Sequence, residues 1–492
     1  MLSCEAHEQA PRTDDKAMPR SRPSDRPLGS KPDTDPFDAV RDPAATYARG
    51  LLAACGLDAP IPDRKGATTA ALAWARSGAM ALTGPAEGPP RFVRGALASA
   101  ARGVGLALGA LAPGTDLCDL DAPALLAERA ALSGLTRQGD VSAGGQAHIL
   151  ATRDDHLVVN LAREEDWHLV PAWLELEGRE ISQSRDFATL SRILASRESV
   201  PLVARGRLMG LAVAPAPTSI PSGGALFSLH HTCEGSPVQR DRPIRLLDLS
   251  SLWAGPLATS LLAMANVDVL KIEDPTRPDG AREGPRAFFD LLNANKRAAA
   301  LDLRAPRDRA RFERLLECAD VVVESARPRA LCQLGYDAAG WVQAKPGRLW
   351  TSITGYGRDH EWIAFGDDAA VAAGLAWSPD PRIEGPVFPA DAVADPLTGL
   401  HAAALVLAHL RRGRGGLLAL SLRDVAAHAA ALQVPDAYLP VHIGPAESDE
   451  WCVLAGDRAF AIAPPRTRAV RGSAPALLPA EDAQLAGWTA GC

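Results

Sequence analysis

Arg245-Leu-Leu-Asp-Leu-Ser-Ser-Leu-Trp-Ala-Gly-Pro256 decides the fold class of this chain. The apolar run Ile244-Arg-Leu-Leu-Asp-Leu249, bounded by Pro243 and Ser250, reads as a strand; Gly255-Pro256 makes a turn, and Leu257–Met264 carries a helical pattern. Strand-like runs recur at Val267-Asp-Val-Leu-Lys-Ile-Glu273, Arg297–Leu303 and Asp320-Val-Val-Val-Glu324, with helical or loop segments between them. Alternating strands and helices imply an α/β fold whose core is a Rossmann-like parallel sheet with crossover helices. Such sheets bind ligands at the carboxyl ends of their strands.

Working outward, residues 241–492 form the domain that holds this sheet, and residues 46–215 a smaller α/β region with a strand-like Leu157-Val-Val-Asn-Leu161 and an amphipathic Trp167–Leu176. Residues 216–240, rich in Pro, Ser and Gly and then polar, read as a linker. Residues 1–45 are dense in Pro, Ser, Asp and Arg without apolar periodicity, which predicts a disordered tail. Over the whole 492 residues, 47% hydrophobic and 23% charged content excludes wholesale disorder.

Composition excludes other classes too. The longest apolar stretches, such as Leu400–Leu410, fall short of the roughly 18 residues a membrane span needs. Acidic residues stand where a secretory signal would have a basic start, so a cytoplasmic location is expected. Cys4, Cys55, Cys118, Cys233, Cys318, Cys332, Cys452 and Cys492 contain no CxxC pair, so reduced thiols are expected rather than a zinc site or disulfide scaffold, and no metal site is predicted. Lys+Arg 52 against Asp+Glu 59 gives a net charge of −7 with no basic block, which argues against nucleic acid and leaves room for a small anionic ligand.

A faint repeat runs through the chain. Gly78 and Gly374 are 296 positions apart, as are Gly103 and Gly399, Phe92 and Phe388, and Pro90 and Pro386. In that register Ser99 falls opposite Asp395. A half-length duplication is the reading this favours over chance similarity of Ala-rich segments.

Six ordered blocks then carry a resemblance: Arg245–Pro256, Asp268–Glu273, Asn295-Lys-Arg297 before Leu301-Asp-Leu303, Ala319–Pro328, Ser352-Ile-Thr-Gly-Tyr-Gly357 and Ala394-Asp-Pro-Leu-Thr-Gly399. Together they resemble the class III CoA-transferases. The likeness covers about residues 245–420, with a weaker echo around Pro464–Pro475. The first half is similar to a different part of the family: Ser77–Gly103 to the segment around its catalytic Asp, and Ala143-Gly-Gly-Gln146 with Ile149–Leu161 to its glycine-rich loop and small domain. Here the loop precedes the sheet, so two incomplete, complementary copies are expected.

The resemblance makes Asp395 the candidate catalytic residue, a nucleophile that attacks an acyl-CoA thioester and is carried on as an aspartyl-CoA thioester. Read from its neighbours alone, an Asp before Pro396 and an apolar helix is an N-cap. Lys271, Lys296 and Arg282, the last after Pro278-Asp-Gly280, read either as cations converging on a CoA phosphate or as solvated surface charges. Gly255 and Pro256 would let the backbone approach the cofactor, or make a plain turn. Gly144, Gly145 and Gln146 would close over the intermediate and exclude water, or form an ordinary flexible loop.

Departures from the family pattern stand beside this. Ser325-Ala326 replaces the Asn-Phe of many members, and Phe365-Gly-Asp-Asp368 lacks the histidine of the racemase branch. His401, six residues beyond Asp395, reads as a packed histidine. The expected activity is transfer of CoA between an acyl-CoA and a carboxylic acid, with a CoA thioester as substrate and no permanently bound cofactor. An acyl-CoA racemase or isomerase and a non-catalytic CoA-binding subunit are the alternatives. The interlocked dimers of the family leave a homodimer open.

Overall fold

The computed structural model describes residues 42–62, 69–176, 186–222, 224–235, 242–380, 383–432, 441–445, 451–455, 458–469, 472–479 and 482–490, so the tail through residue 41 and residues 223 and 236–240 of the expected linker lie outside it. The first helix begins inside the expected tail. Asp42 accepts a hydrogen bond from the Ala44 N–H, and Pro43 occupies the first turn of α1 (Pro43–Ala54), where no N–H is needed. Thr69 caps α2 (Ala70–Ser77), which ends on Gly78 at φ +89°. α3 (Leu97–Leu111) and α4 (Glu128–Ser133) complete this helical segment.

The chain then builds β1 (Ala147–Ala151), β2 (His156–Asn160), α5 (Glu164–Trp173), α6 (Phe187–Leu194), α7 (Ser199–Leu208) and β3 (Ala212–Pro215). The strands pair antiparallel in the order β1-β2-β3. Side-chain alternation divides the sheet: Leu157, Val159 and Val213 pack on Trp167, Trp173 and Leu190, while Ile149, Val158 and Ala214 pack on Val371 and Phe388 of the second half. This is the smaller α/β domain, docked through its second face.

The larger domain runs β4 (Ser228–Glu234), β5 (Arg245–Leu249), α8 (Ala254–Met264), β6 (Asp268–Glu273), α9 (Arg286–Asn293), β7 (Arg297–Ala300), α10 (Pro306–Cys318) and β8 (Val321–Glu324). It continues through α11 (Ala330–Gln333), α12 (Ala338–Ala344), β9 (Leu349–Thr354), α13 (Gly366–Ala372), α14 (Ala394–Arg412), β10 (Arg414–Ser421) and α15 (Leu422–Ala430). Seven strands form one sheet in the order β4-β10-β9-β8-β5-β6-β7. Six are parallel, and β4 is added antiparallel at the edge, against β10. That strand corrects the linker reading, since residues 228–234 are part of the sheet.

β5, β8 and β9 are buried almost throughout, as strands covered by helices on both faces must be. Strand order reverses at β5, with β6 and β7 to one side and β8, β9 and β10 to the other. The crevice this opens lies at the carboxyl ends of β5 and β8. β11 (Val441–Pro445), β12 (Trp451–Ala455) and β13 (Arg458–Ala461) form a separate antiparallel sheet.

The repeat is visible in the helices. α2 and α13 begin 296 positions apart, at Ala70 and Gly366, and each is followed by a left-handed glycine, Gly78 at φ +89° and Gly374 at +81°. A Cβ on Gly103 of α3 would meet the Ala44 carbonyl of α1 at 2.6 Å, and one on Gly399 of α14 would meet the Ala254 carbonyl of α8 at 2.7 Å. Each glycine thus lets a neighbouring helix cross closely. α1, α3, α8 and α14 share one apolar core.

Among the described residues, Cys55, Cys118, Cys233 and Cys332 are free, whereas Cys318 is disulfide-bonded, a departure from the reduced thiols expected. No described helix is long and apolar enough to cross a membrane.

Candidate active site

Asp395 is the second residue of α14, whose N-cap is Val393. The N-cap reading is therefore corrected: the helix starts two residues earlier than an Asp395 cap requires, and the carboxylate does not cap its own helix. It accepts a hydrogen bond from the Gly366 N–H at the start of α13. A side chain at Gly366 could not coexist with this contact, because its Cβ would lie 2.4 Å from Asp395 Oδ2 and 2.3 Å from the Ala392 carbonyl. Burial, reinforced by the Asp367 and Asp391 charges, pushes the Asp395 carboxyl up to about 7 against the opposing pull of Arg129.

The turn that delivers Asp395 is strained. Ala390 and Ala392 adopt φ of +59° and +44°, a region that costs a residue with a Cβ on the order of 1–2 kcal/mol. Four hydrogen-bonding partners hold it there. Thr83 Oγ1 accepts from the Ala390 N–H at 3.0 Å, and Asp367 Oδ1 from the Ala392 N–H at 2.8 Å. Phe388 N–H donates to the Gly139 carbonyl at 2.8 Å. Between the two strained alanines, Asp391 receives both Nε (2.9 Å) and Nη2 of Arg129, which itself stacks over the Trp253 ring at 4.8 Å. Thr83, Gly139 and Arg129 come from the first half of the chain.

Four aspartates therefore cluster around one guanidinium and two helix starts. Asp391 is committed to Arg129. Asp367 is committed to Ala392 and, through burial and the Asp391 charge, rises to about 7. Asp368 caps α13 on the Phe365 N–H (2.9 Å), accepts from Asn160 Nδ2 of β2 (3.0 Å), and is likewise pushed up to about 7 by burial. These three are buried, and Asp395 is the member with open surface.

The glycine loop lies beside this cluster. Gly145 turns at φ +75° with its N–H on the Ser142 carbonyl, and Gly144, Gly145 and Gln146 are exposed. A Cβ on Gly144 would stand 3.8 Å from Arg129 Nη2. The loop thus reaches Arg129, which in turn faces Asp395.

The three cations read from the sequence do not converge on an open phosphate cradle, and neither are they solvated surface charges. Lys271 is enclosed, with Nζ 2.9 Å from Asp279 Oδ2 and donating to the Ser250 carbonyl at 2.7 Å. Lys296 is equally enclosed, donating at 2.9 Å to Asp248 Oδ2, the Pro256 carbonyl and Asn293 Oδ1. Burial, with Lys271 nearby, brings the Lys296 ammonium down to about 8 despite Asp248. Arg282 makes two bonds to Glu273 (2.9 and 2.7 Å) and stacks over Phe289. All three turn their charge to carboxylates of the chain, because an unpaired cation at these depths would cost several kcal/mol.

Gly255 is likewise tight against the protein itself: its Cβ would fall 2.2 Å from Ser250 Cβ. With Pro256 it packs under the end of β5. The effect of these five residues is to hold the loop after β5. There Leu252, 44% exposed, sits at φ +67° with its N–H on Asp279 Oδ1, and the Ser251 N–H donates to Ser325 Oγ across the crevice. Ser325, a departure in the sequence, is thus the link between the two strand ends. His401 is a structural histidine: Nδ1 donates to the Leu397 carbonyl and Nε2 accepts from Tyr47 Oη, both at 2.7 Å, and burial lowers it to about 4.

Sequence reasoning missed Arg129, Asp391 and Thr83. Nothing in their local patterns distinguishes them, since each acquires its role from a segment more than 200 positions away.

Residues 242–464 match the model of CoA-transferase family III. The chain is 29% identical over 208 residues to formyl-CoA:oxalate CoA-transferase of Escherichia coli O6:H1, covering 39% of this chain and 50% of that protein. It is 30% identical over 205 residues to succinate–glutarate CoA-transferase of Agrobacterium fabrum, covering 37% and 50%. The chain thus spans about half the length of the curated relatives it matches. Among solved structures, it is similar to the hypothetical protein Rv3272 of Mycobacterium tuberculosis (TM-score 0.39, 25% identity, 45% of this chain and 65% of that one). A CAIB/BAIF family protein from Brucella suis is similar at TM-score 0.37 and 24% identity, over 43% and 65%.

Proposed function

From a chain whose residues 242–464 match the model of CoA-transferase family III, we propose a protein that moves CoA between an acyl-CoA and a carboxylic acid, with Asp395 as covalent carrier. The observation that carries this reading is the state of Asp395. It lies in the matched segment, keeps open surface while its three acidic neighbours are committed, and is held at the N-terminus of α14 by a glycine N–H. The names of the two relatives describe CoA transfer, one of them from formyl-CoA to oxalate.

The steps balance without an external energy source. An ionised Asp395 oxygen attacks the thioester carbonyl, and the C–S bond breaks to release CoA thiolate and leave a mixed anhydride. The thiolate attacks the Asp395 carbonyl carbon, which frees the first carboxylate and leaves an aspartyl-CoA thioester. The acceptor carboxylate then repeats the two steps in reverse order, so one thioester replaces another. A carboxylate is a weak nucleophile. A value near 7 leaves it about half ionised at neutral pH and more basic than an ordinary aspartate, which suits attack.

The rest of the chain positions the reaction. Gly366 N–H and the positive end of α14 favour charge on Asp395. The exposed Gly144-Gly145-Gln146 loop beside Arg129 is placed to limit water at an intermediate that water would hydrolyse. CoA would enter over the crevice at β5 and β8, where Lys271, Lys296, Arg282, Gly255 and Pro256 shape the loop with exposed Leu252 instead of reaching the phosphates themselves. An isomerase has less support, because Asp367 and Asp368 are buried and engaged rather than facing open space.

Intact-protein mass spectrometry after incubation with a panel of acyl-CoA donors, trapped with hydroxylamine or borohydride, tests this. A mass change mapped to Asp395 and absent in Asp395→Asn is expected. CoA binding without any label from the panel would overturn the transferase in favour of a binding or isomerase role, and α-proton exchange in deuterated solvent would identify the latter.

A further inference from the structure

We infer that Arg129 and Asp391, one from each half of the chain, form a paired positioning unit that holds the Asp395 carboxyl in place and sets the pH at which it ionises. This rests on reading Asp395 as the reacting group. Arg129 grips Asp391 through two nitrogens, and Asp391 lies between the strained residues Ala390 and Ala392, four positions before Asp395. The groups facing Asp395 among the described residues are Asp367 from α13, Asp391 from the turn, and Arg129 from α4. Asp391 therefore does two opposing things: it repels charge on Asp395, and it anchors Arg129, the cation that attracts it.

The bland alternative is an ion pair that merely joins two segments. The internal repeat answers it, because the molecule contains the same junction without the charges. With the 296-residue offset, Asp367 corresponds to Ala71, Asp391 to Gly95, Asp395 to Ser99 and Arg129 to Val425. The packing is retained: a Cβ on Gly95 would lie 2.3 Å from the Ala430 carbonyl of α15, as Asp391 is met by α4, the counterpart of α15. Where the aspartate is a serine, the guanidinium and both accompanying carboxylates are absent as well. Helix contact at this junction thus needs no ion pair, and a buried pair contributes little net stability over apolar packing. The charges go with Asp395.

The test titrates Asp395 directly and does not depend on turnover. A water-soluble carbodiimide with glycinamide modifies protonated carboxyls; the extent at Asp395, separated from Asp391 by fragment-ion mass spectrometry, is followed from pH 5 to 9 in the full chain. Arg129→Met should move the midpoint to more alkaline pH by about one pH unit, and Asp391→Asn to more acidic pH, with Arg129→Lys near wild type. The double variant Arg129→Met/Asp391→Asn leaves no buried charge unpaired, and its midpoint should fall between those of the single variants. If Arg129→Met does not fold, Asp391→Asn and the double variant carry the test. Midpoints that stay at the wild-type value, or that move in one direction for both single variants, overturn the inference. Opposite shifts together with no acyl-CoA label would retain the positioning unit and remove the transferase; a label with unmoved midpoints would do the reverse.

Discussion

Asp395 shows how a single residue can be legible in kind and illegible in state. Its block, Ala394-Asp-Pro-Leu-Thr-Gly399, points to it, but whether it caps a helix or faces a substrate depends on where the helix begins and what surrounds it. Its raised value carries a consequence for stability. An acid shifted from 3.8 to about 7 contributes stability that is fully present below its unfolded value and is lost as pH rises through 7, since the folded state then bears a confined charge. Asp395→Asn removes that charge. The variant should therefore gain more stability relative to wild type at pH 8 than at pH 5, as read from chemical denaturation midpoints; equal effects at both values would mean that Asp395 is ionised at both. Because Asp395 keeps some open surface, solvent screening reduces the size of the gain.

At the scale of elements, glycines set helix spacing. Gly103 in α3 and Gly399 in α14 are placed where alanine would raise helix propensity by about 1 kcal/mol. Each instead allows a neighbouring backbone carbonyl to approach within 2.6 and 2.7 Å of where a Cβ would stand. Main chain cannot yield as a side chain can, and overpacking costs about 1–3 kcal/mol. Gly103→Ala and Gly399→Ala should both lower the denaturation midpoint, each by more than the propensity gain. An increase for either would show that the close crossing of α1 or α8 is not what demands glycine. Four strands of the main sheet, β5 to β8, were legible because apolar runs such as Val321-Val-Val323 bounded by turns suit a buried parallel strand, whereas β9 and β10 were not read from the sequence. β4 was not, since its sequence Ser-Leu-His-His-Thr-Cys-Glu is polar on exposed positions, and only pairing with β10 makes it a strand.

At the scale of the whole molecule, the candidate site is assembled from both halves. Thr83, Arg129 and Gly139 hold the turn before α14, Asn160 meets Asp368, and Tyr47 meets His401. α14 is apolar on nearly every side, and part of its cover is α3. Residues 242–492 expressed alone should therefore be insoluble or lack a cooperative unfolding transition, and co-expression with residues 1–235 should restore both folding and Asp395 labelling. A soluble, cooperatively folding fragment that labels at Asp395 would contradict this account.

The sequence by itself determined the α/β class, the strand-helix alternation of the larger domain and the register of the internal repeat, and it made Asp395 a candidate, because each rests on local periodicity or on short blocks that need no partner. Tertiary structure decided the rest. Lys271 and Lys296 are buried counter-ions and Arg282 a half-buried one, neither phosphate ligands nor solvated surface charges, once Asp279, Asp248 and Glu273 come within hydrogen-bond distance. Arg129 became a neighbour of Asp395 only when α4 met the turn before α14. Electrostatic energy depends on distance through space and on exclusion of water, and neither is a property of position along the chain.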